Sequence, residues 1–394
     1  MELHFALLTI GGLLLVGLLT DEIGRRTRLP RVTLLILFGV LAGPPLFDLL
    51  PPEIHEWREF LVSIALTMVA FLLGGTLSAS ALRAHGRAIF AVSLSVALLT
   101  AFLVGLGLIV VGTSVLVALA LAGVATSTDP AATQDVLRQL RAKGPFTDTL
   151  SGVVAIDDAW GLIVFSGLLI IAKASVGDGG VHVLAEGLAE FAISLAVGAA
   201  IGFPAAFLTG RLKSGEPVQA EALGVVFLCA GASIWLGGSF LVAGMTAGCI
   251  VANFAKHHRR AFHEIEHIEW PFLVLFFVLA GAALDLDALE SFGVVGAVFL
   301  VLRLVGRVLG GWVGGALGGL QADHRRWIGV ALVPQAGVAL GMALVAGDEF
   351  PMFADQILSV AVSTTIFFEI CGPVLTQLAL RRVGENRDAD RDDR

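Results

Sequence analysis

The 394-residue chain is too apolar and too poor in charge to be a soluble domain of its length. Hydrophobic residues make up 57% and charged residues 15% of the sequence, whereas soluble domains carry about 25% charged residues. The net charge of −8 and the lack of a basic face exclude a nucleic-acid-binding protein. The apolar residues form long runs that do not alternate with polar ones, which excludes a transmembrane barrel. We therefore expect an all-α, integral multi-pass protein of the lipid bilayer.

Thirteen apolar runs, each bounded by charged or Gly/Pro-rich segments, predict thirteen transmembrane helices. Only Gly237-Gly238-Ser239 separates the eighth run from the ninth. If the N-terminus lies outside, 21 of the 25 lysines and arginines fall on the cytoplasmic side, which predicts an N-out, C-in orientation. The runs centre on Leu13, Val40, Met68, Leu98, Ala125, Val164, Leu195, Val226, Gly244, Leu275, Val301, Leu340 and Phe367.

The fifth span is interrupted by the sequence Thr126-Ser127-Thr128-Asp129-Pro130. Pro130 removes a backbone donor and disfavours helix at Asp129, and the Ser, Thr and Asp side chains compete for backbone hydrogen bonds. A simple proline kink is the alternative, but five such residues in succession favour a break in the helix. Irregular backbone at this depth must line a cavity or be buried in protein. We therefore expect this break to form part of a functional site.

Two adjacent carboxylates, Asp157 and Asp158, lie in the middle of the sixth span, whose apolar stretch contains no other charge. A carboxylate in hydrocarbon costs several kcal/mol or more, so stability does not explain the pair. Ionisable residues at this depth typically handle a proton, an ion or a charged substrate. This pair is the first indication of function in the sequence.

A histidine-rich segment precedes the tenth span and contains His263-Glu264-Ile265-Glu266-His267. The pattern matches the HExxH zinc-protease motif, with Glu264 as a potential base, but the sequence offers no third ligand motif and places the segment in a cytoplasmic loop. The alternatives are an amphipathic interfacial segment and a pH sensor built from His257, His258, His263 and His267, because histidine changes charge between about pH 5 and 8. An unchanged activity–pH profile after replacement of the four histidines by Gln would exclude the sensor.

The last three spans bring further charges and a second break. Arg303 and Arg307 share one face of the eleventh span, and Glu369 lies in the thirteenth. Because buried charges need partners, we predict pairs between Arg307 and Asp157 and between Arg303 and Glu369. These charges, with Asp129, are either charge-compensating or structural. The second break lies in the twelfth span and comprises Val333, Pro334, Gln335, Ala336 and Gly337.

The two breaks occupy corresponding positions in the two halves of the chain. Spans five and twelve are seven apart, so they run in opposite directions, as six-helix inverted repeats require. Interrupted helices at matching positions indicate the binding site of a transporter. We therefore predict that the two interrupted helices, broken at Pro130 and at Pro334, Gln335 and Gly337, cross and form that site.

Once Asp157 is paired, Asp158 has no fixed counter-ion. Such a carboxylate can hold a proton until a small cation replaces it, and competition of cation and proton for one site is antiport. Asp158, Asp157, Thr126 and Ser127 offer the hard oxygen ligands that suit Na⁺, Li⁺ or K⁺, although the aspartate pair does not exclude a divalent ion. The three cysteines lack metal-ligand spacing, so we expect no resident cofactor besides the transported ions.

These features resemble the monovalent cation:proton antiporter superfamily, nearest its Na⁺/H⁺ antiporters with paired aspartates. The resemblance covers nearly the whole chain and rests on Ala125-Thr126-Ser127-Thr128-Asp129-Pro130, Ala155-Ile156-Asp157-Asp158-Ala159, Arg307 to Gly310, Pro334 to Gly337, and Glu369-Ile370-Cys371-Gly372-Pro373. It implies an ion-translocating core of residues 86–175 and 291–382 that moves relative to a dimerisation part, residues 1–82 and 216–288. Residues 183–210 would form a linker helix and residues 383–394 a disordered cytoplasmic tail. A homodimer in a bacterial inner membrane is also implied.

The resemblance leaves the stoichiometry open. Electrogenic relatives with paired aspartates usually have a Lys where Arg307 stands, and an arginine effectively never releases its proton. Exchange of one proton per cation is then favoured if only Asp158 titrates, and two protons could move if Asp157 titrates as well.

Two other functions fit parts of the sequence, and a third does not. A cation-coupled symporter of an organic anion could share the same fold, and cation-driven proton movement without an organic substrate would distinguish the two. A cation channel would have similar lining groups, but fixed arginines and paired breaks favour a carrier. An intramembrane aspartyl protease is excluded, because the chain has no Tyr and none of the Gly-x-Gly-Asp sequences that this class needs.

Overall fold

The computed structural model describes residues 3–27, 31–44, 46–47, 49–50, 53–77, 79–176, 180–208, 218–255, 258–282, 293–335 and 337–385. Within these ranges the chain forms helices and no β-strand. In chain order they are α1 (Leu3–Thr27), α2 (Arg31–Ala42), α3 (Glu53–Thr76), α4 (Ala79–Val110), α5 (Val115–Val124), α6 (Pro130–Gln139), α7 (Pro145–Val176), α8 (Gly180–Leu208), α9 (Val218–Leu236), α10 (Phe240–Phe254), α11 (His258–Ala282), α12 (Gly293–Gly318), α13 (Ala322–Ala331), α14 (Gly337–Glu349) and α15 (Ala354–Val383), with a 3₁₀ turn at Pro351–Phe353 before the last helix.

Six of the described helices are long and apolar enough to cross a membrane, by length and composition. They contain Gly86–Val110, Pro145–Ser175, Leu188–Leu208, Gln219–Leu236, Gly293–Gly318 and Pro351–Val383, and shorter apolar helices lie between them. Every predicted span centre falls inside a helix except Ala125, which caps the C-terminus of α5. The all-helical class is confirmed, whereas the number of thirteen spans and the N-out orientation stay predictions.

One compact unit comprises residues 1–80 and 181–285. Within it α3 packs on α10 and α2 on α11, in each case through glycines. Gly248 of α10 lies against the backbone of Phe71 in α3, and Gly281 of α11 against the backbone of Ile36 in α2. Small residues let membrane helices approach closely, which increases their van der Waals contact. The helix predicted as a linker, α8, is grouped with this unit.

A second compact unit comprises residues 81–180 and 286–394. It contains both interrupted helices: α5 and α6 flank the first break, and α13 and α14 flank the second. The continuous helix α7 packs on α5, and α15 packs on α13 and α14. All the predicted ion-site residues from Thr126 to Glu369 therefore belong to this unit. The functional roles of the two units stay predictions.

A row of glycines brings α12 against α4 inside the second unit. A Cβ added to any of four glycines would lie 2.5–2.7 Å from a Cα atom of α4, so a side chain does not fit there. The four glycines are spaced four residues apart, which places them on one helix face. This spacing can be read directly from the sequence. The facing pairs are Gly306 with Thr100, Gly310 with Val96, Gly314 with Val92, and Gly318 with Ala88.

The glycine row makes a testable prediction about stability. Gly310→Val should destabilise the protein by roughly 1–3 kcal/mol, because overpacking a tight interface costs about that much. Gly167→Ala in α7 is the control: an added Cβ meets nothing within 4 Å there, and Ala is the better helix former. The apparent unfolding temperature in detergent checks both variants. Equal temperatures for Gly310→Val and the wild type would contradict the packing described for α12.

Two predicted segments differ from the structure. The predicted loop before the tenth span is the beginning of a helix, since α11 starts at His258 and continues through His267. The predicted tail, residues 383–394, begins too early, because α15 includes Val383 and ends in Gly384, a left-handed C-cap. Glu385, the next residue, makes hydrogen bonds to the start of α7. Residues 386–394 lie outside the described residues.

Candidate functional site

The two helix breaks contact each other directly. The first break, residues 125–129, separates α5 from α6, and the second follows Ala331 at the end of α13. Gln335 in the second break donates from Nε2 to the carbonyl of Val124, at 3.1 Å, and to the Ser127 hydroxyl, at 3.5 Å. Both side chains of this contact are buried. The two interrupted helices therefore meet at their breaks.

Arg303 connects the two breaks through backbone carbonyls. Its guanidinium donates to Ala125 and Ser127 in the first break, at 3.2 and 2.8 Å. It also donates to Val333 and Pro334 in the second, at 2.8 and 3.5 Å. The C-terminal ends of α5 and α13 carry unsatisfied carbonyls and partial negative charge. A single buried cation thus neutralises both half-helix ends.

The predicted pair between Arg303 and Glu369 is not among the contacts that the structure describes for Arg303. The guanidinium is occupied by the four carbonyls, and the ring of Phe368 lies over it at 4.2 Å. Glu369, the next residue of α15, is buried and makes contacts of its own. The sequence did not indicate this arrangement, because backbone carbonyls become acceptors only where a helix has been broken.

The predicted pair between Arg307 and Asp157 is present. Nη1 of Arg307 lies 2.7 Å from Oδ2 of Asp157, and both side chains are fully buried. Oδ1 of the same carboxylate accepts a hydrogen bond from the Ser93 hydroxyl at 3.2 Å. Nη2 of Arg307 donates to the carbonyls of the first break, those of Ala125, Thr126 and Ser127. Asp157 is therefore compensated by a fixed charge and satisfied at both oxygens.

Asp158 differs from its neighbour in its partners. Its Oδ1 accepts from the backbone N–H of Thr128 at 2.8 Å and from the Thr128 hydroxyl at 3.2 Å. Its Oδ2 is buried and has no hydrogen-bond partner within the described residues. Buried polar atoms nearly always have a partner, so this oxygen is an exception within the described part of the chain. Asp157 thus has a fixed counter-ion, whereas Oδ2 of Asp158 has no hydrogen-bond partner within the described residues.

The hydroxyls of the predicted ligands Thr126 and Ser127 form hydrogen bonds within their own helix end. Their hydroxyls donate to the carbonyls of Gly123, at 2.6 Å, and Val124, at 3.2 Å. Each oxygen can still accept or coordinate, since a hydroxyl has two lone pairs. The residue that contacts Asp158 is Thr128, which belongs to the same polar run but was not singled out. Ser93 was also missed, because a lone serine in an apolar span carries no signal.

Asp129 and Pro130 start the second half of the first interrupted helix. Oδ1 of Asp129 accepts from the backbone N–H of Ala132 at 3.0 Å, which is the geometry of an N-cap. Pro130 is the first residue of α6, where its missing N–H costs nothing. Asp129 thus has a structural role at the break. Gly337, predicted as a breaking residue, is the first residue of α14.

The histidine segment shows no metal centre within the described part of the chain. No group of three His, Cys, Asp or Glu side chains there could hold a metal ion. His263 is exposed on α11, whereas His257 and the side chains of His258, Glu264 and His267 lie outside the described residues. The pH-sensor hypothesis therefore stays a prediction.

The chain is similar to known transporters in sequence and in fold. The sequence profile of the family described as sodium/hydrogen exchanger, transmembrane, matches residues 10–381. The chain is 26% identical to the K(+)/H(+) antiporter subunit KhtU of Bacillus subtilis (strain 168) over 400 residues, which cover 94% of this chain and 93% of that protein. It is similar in fold to the sodium proton antiporter MjNhaP1 of Methanocaldococcus jannaschii at pH 8, with a TM-score of 0.75 and 20% identity over 98% of this chain and 100% of that one. A structure of the same antiporter from an electron-microscopy map gives a TM-score of 0.73.

The chain belongs to the sodium/hydrogen exchanger family. It is a multi-pass membrane transporter of the monovalent cation:proton antiporter class, and the members it resembles are antiporters and not enzymes. The metalloprotease hypothesis for His263 and His267 is set aside on this ground.

Proposed function

We propose that the protein exchanges a monovalent cation for protons, with cation and proton competing for Asp158. The observation that carries the proposal is the difference between the two aspartates. Asp157 is neutralised by Arg307, whereas Oδ2 of Asp158 is buried without a hydrogen-bond partner in the described part of the chain. The cation would take the place of the proton at this oxygen.

The proposed ion site would be built from hard oxygen ligands. The carboxylate of Asp158 and the hydroxyl of Thr128 are already 3.2 Å apart, and Thr126 and Ser127 are on the same break. Oxygen ligands of this kind suit Na⁺, Li⁺ and K⁺. The names of the relatives include both a sodium and a potassium antiporter, so we propose Na⁺, with Li⁺ and K⁺ as further candidate substrates. Arg303 and Arg307 hold the site together by neutralising the carbonyls of the breaks.

The wider architecture belongs to the same proposal. We propose thirteen spans with the N-terminus outside, and a homodimer in a bacterial inner membrane. Residues 86–175 and 291–382 would carry the ion, and residues 1–82 and 216–288 would form the dimer contact. Because Arg307 keeps its charge, one proton would be exchanged per cation.

Reconstitution into liposomes tests the proposed exchange. Purified protein is placed in vesicles with a pH-sensitive dye inside, and Na⁺, Li⁺ or K⁺ is added outside without any organic substrate. We expect the internal pH to rise with at least one of these cations. Because proton and cation compete for one carboxylate, the apparent KM for the cation should increase as the pH falls. The absence of proton flux with all three cations between about pH 6 and 9 would overturn the proposal.

A further inference from the structure

The N-terminus of α7 is capped by a residue from the other end of the second unit. Oε1 of Glu385 accepts from the backbone N–H of Phe146 at 2.9 Å, and Oε2 accepts from the backbone N–H of Thr147 at 2.8 Å. The carbonyl of Glu385 also accepts from the backbone N–H of Lys143 at 3.4 Å. Three hydrogen bonds thus attach Glu385 to the first turn of α7, the helix that carries Asp157 and Asp158, and to the residue Lys143 just before it.

The local sequence of α7 leaves this cap to a distant residue. Pro145, the first residue of the helix, has no backbone N–H, and Gly144 before it has no side chain that could cap the next donors. The N–H groups of Phe146 and Thr147 therefore need an acceptor from elsewhere. A carboxylate is favoured at this position, since the N-terminal end of a helix carries partial positive charge. A Cβ on Gly144 would lie 2.3–2.6 Å from the carboxylate atoms of Glu385, too close for both to keep their positions.

Glu385 is itself held at the end of α15. Gly384 adopts a left-handed conformation, with φ of 79°, and turns the chain directly after the helix. The backbone N–H of Glu385 donates to the carbonyl of Leu380 at 3.3 Å. The carboxylate therefore connects two helix ends, that of α15 and that of α7, and its position is fixed by both.

Helix α15 is also joined to the two breaks. The hydroxyl of Thr376 donates to the carbonyl of Ala331, the last residue of α13, at 3.0 Å. Closer to the N-terminus of the same helix, the ring of Phe368 lies over the guanidinium of Arg303. At its opposite end α7 is held as well, by an ion pair of 2.9 Å between Lys173 and Glu349, the last residue of α14. Helix α7 is thus tied at its N-terminus to the end of α15 and near its C-terminus to the end of α14.

We propose that Glu385 is a positioning residue for cation–proton exchange. By fixing the N-terminus of α7 to the end of α15, it sets the position of α7 along and about its axis. That position keeps Asp157 opposite Arg307 and Asp158 opposite Thr128. The inference rests on the proposed exchange at Asp158, and it assigns a role in that reaction to a residue outside the ion site.

Two variants and one control test this role. Glu385→Ala removes both acceptors, and Glu385→Gln keeps a single carbonyl oxygen in nearly the same place. Asp148→Asn is the control, because Asp148 is an exposed acidic residue in the same first turn of α7 and its replacement removes the same charge from the same helix end. All three proteins are measured as full-length chains after a check of monodispersity in detergent.

Amide hydrogen–deuterium exchange at the start of α7 measures the contact itself. We expect faster exchange around Phe146 and Thr147 in Glu385→Ala, a smaller increase in Glu385→Gln, and wild-type rates in Asp148→Asn. This measurement does not depend on transport. Unchanged protection in Glu385→Ala would show that Glu385 does not cap α7, and it would overturn the inference.

Transport kinetics measure the consequence for the ion site. A displaced ligand set should raise the apparent KM for the cation about 5- to 10-fold in Glu385→Ala, since misplacement by an ångström can cost up to two orders of magnitude. The maximal rate should change less than the KM, Glu385→Gln should be intermediate, and Asp148→Asn should match the wild type. Faster amide exchange in Glu385→Ala together with a wild-type KM would show that Glu385 stabilises the start of α7 without positioning the ion site. That result would overturn the inference. If the wild-type protein itself does not exchange a cation for protons, that result would instead contradict the proposed function.

Discussion

Replacement of Asp158 by Asn should abolish cation-driven proton movement. The amide cannot release a proton in exchange for a cation and supplies no negative charge to bind one, while its shape and its contacts with Thr128 are largely kept. Because Oδ2 of Asp158 is the oxygen without a partner, no other described carboxylate of the site can replace it. We expect dye-loaded vesicles containing this variant to behave like empty vesicles with Na⁺, Li⁺ and K⁺.

The neighbouring aspartate provides the matched control for this experiment. Asp157→Asn makes the same chemical change one residue away, but it removes the partner of Arg307. We expect this variant to fold less stably and to retain measurable exchange, since Asp158 is intact. Exchange at the wild-type rate by Asp158→Asn, or its loss only in Asp157→Asn, would remove Asp158 from the role of the exchanging carboxylate.

Replacement of Arg307 by Met should strongly destabilise the protein. The variant leaves Asp157 in a dry interior without its ion-pair partner, and it leaves the carbonyls of the first break without the donor Nη2. Removing one member of a buried ion pair typically costs about 3–5 kcal/mol. The expected result is a much lower apparent unfolding temperature in detergent, followed by Trp fluorescence.

Two further variants separate the lost ion pair from a general effect of the substitution. Arg326→Met is the control, because Arg326 is exposed and lies 3.9 Å from an exposed Asp323, and such pairs contribute about 0–1 kcal/mol. The double variant Arg307→Met with Asp157→Leu should recover part of the stability, since apolar replacement of a buried pair is often nearly neutral. Recovery should stay incomplete, because the carbonyl of Thr126 loses its donor from Arg307, while those of Ala125 and Ser127 keep only Arg303. Equal stability of Arg307→Met and Arg326→Met would contradict the account of the site.

The sequence predicted the parts of the site that depend on the cost of burying charge. Asp157, Asp158 and Arg307 are recognisable because charges at membrane depth need a partner or a function. The breaks are recognisable because Pro130 and Pro334 cannot continue a helix without losing a hydrogen bond. These rules act on residue type alone, so a single sequence is sufficient to apply them.

The contacts that depend on backbone geometry could not be predicted in the same way. Arg303 donates to four carbonyls and not to Glu369, because every residue has a carbonyl and the sequence does not show which are left unpaired. Thr128 contacts Asp158 through its backbone N–H as well as its hydroxyl, and a backbone donor has no sequence signature. Glu385 was assigned to a disordered tail for a related reason: its acceptors meet donors 238 and 239 residues away.

The position of Arg303 restricts how the interior of the second unit can change shape. One guanidinium holds carbonyls from both interrupted helices, so neither half-helix can swing away alone without breaking hydrogen bonds to a charged group. Each such bond contributes about 1.5–3 kcal/mol, and the guanidinium that makes them is fully buried. A gate made by bending one broken helix would therefore be costly at this point. The proposed exchange at Asp158 would then depend on movements that leave the contacts of Arg303 in place.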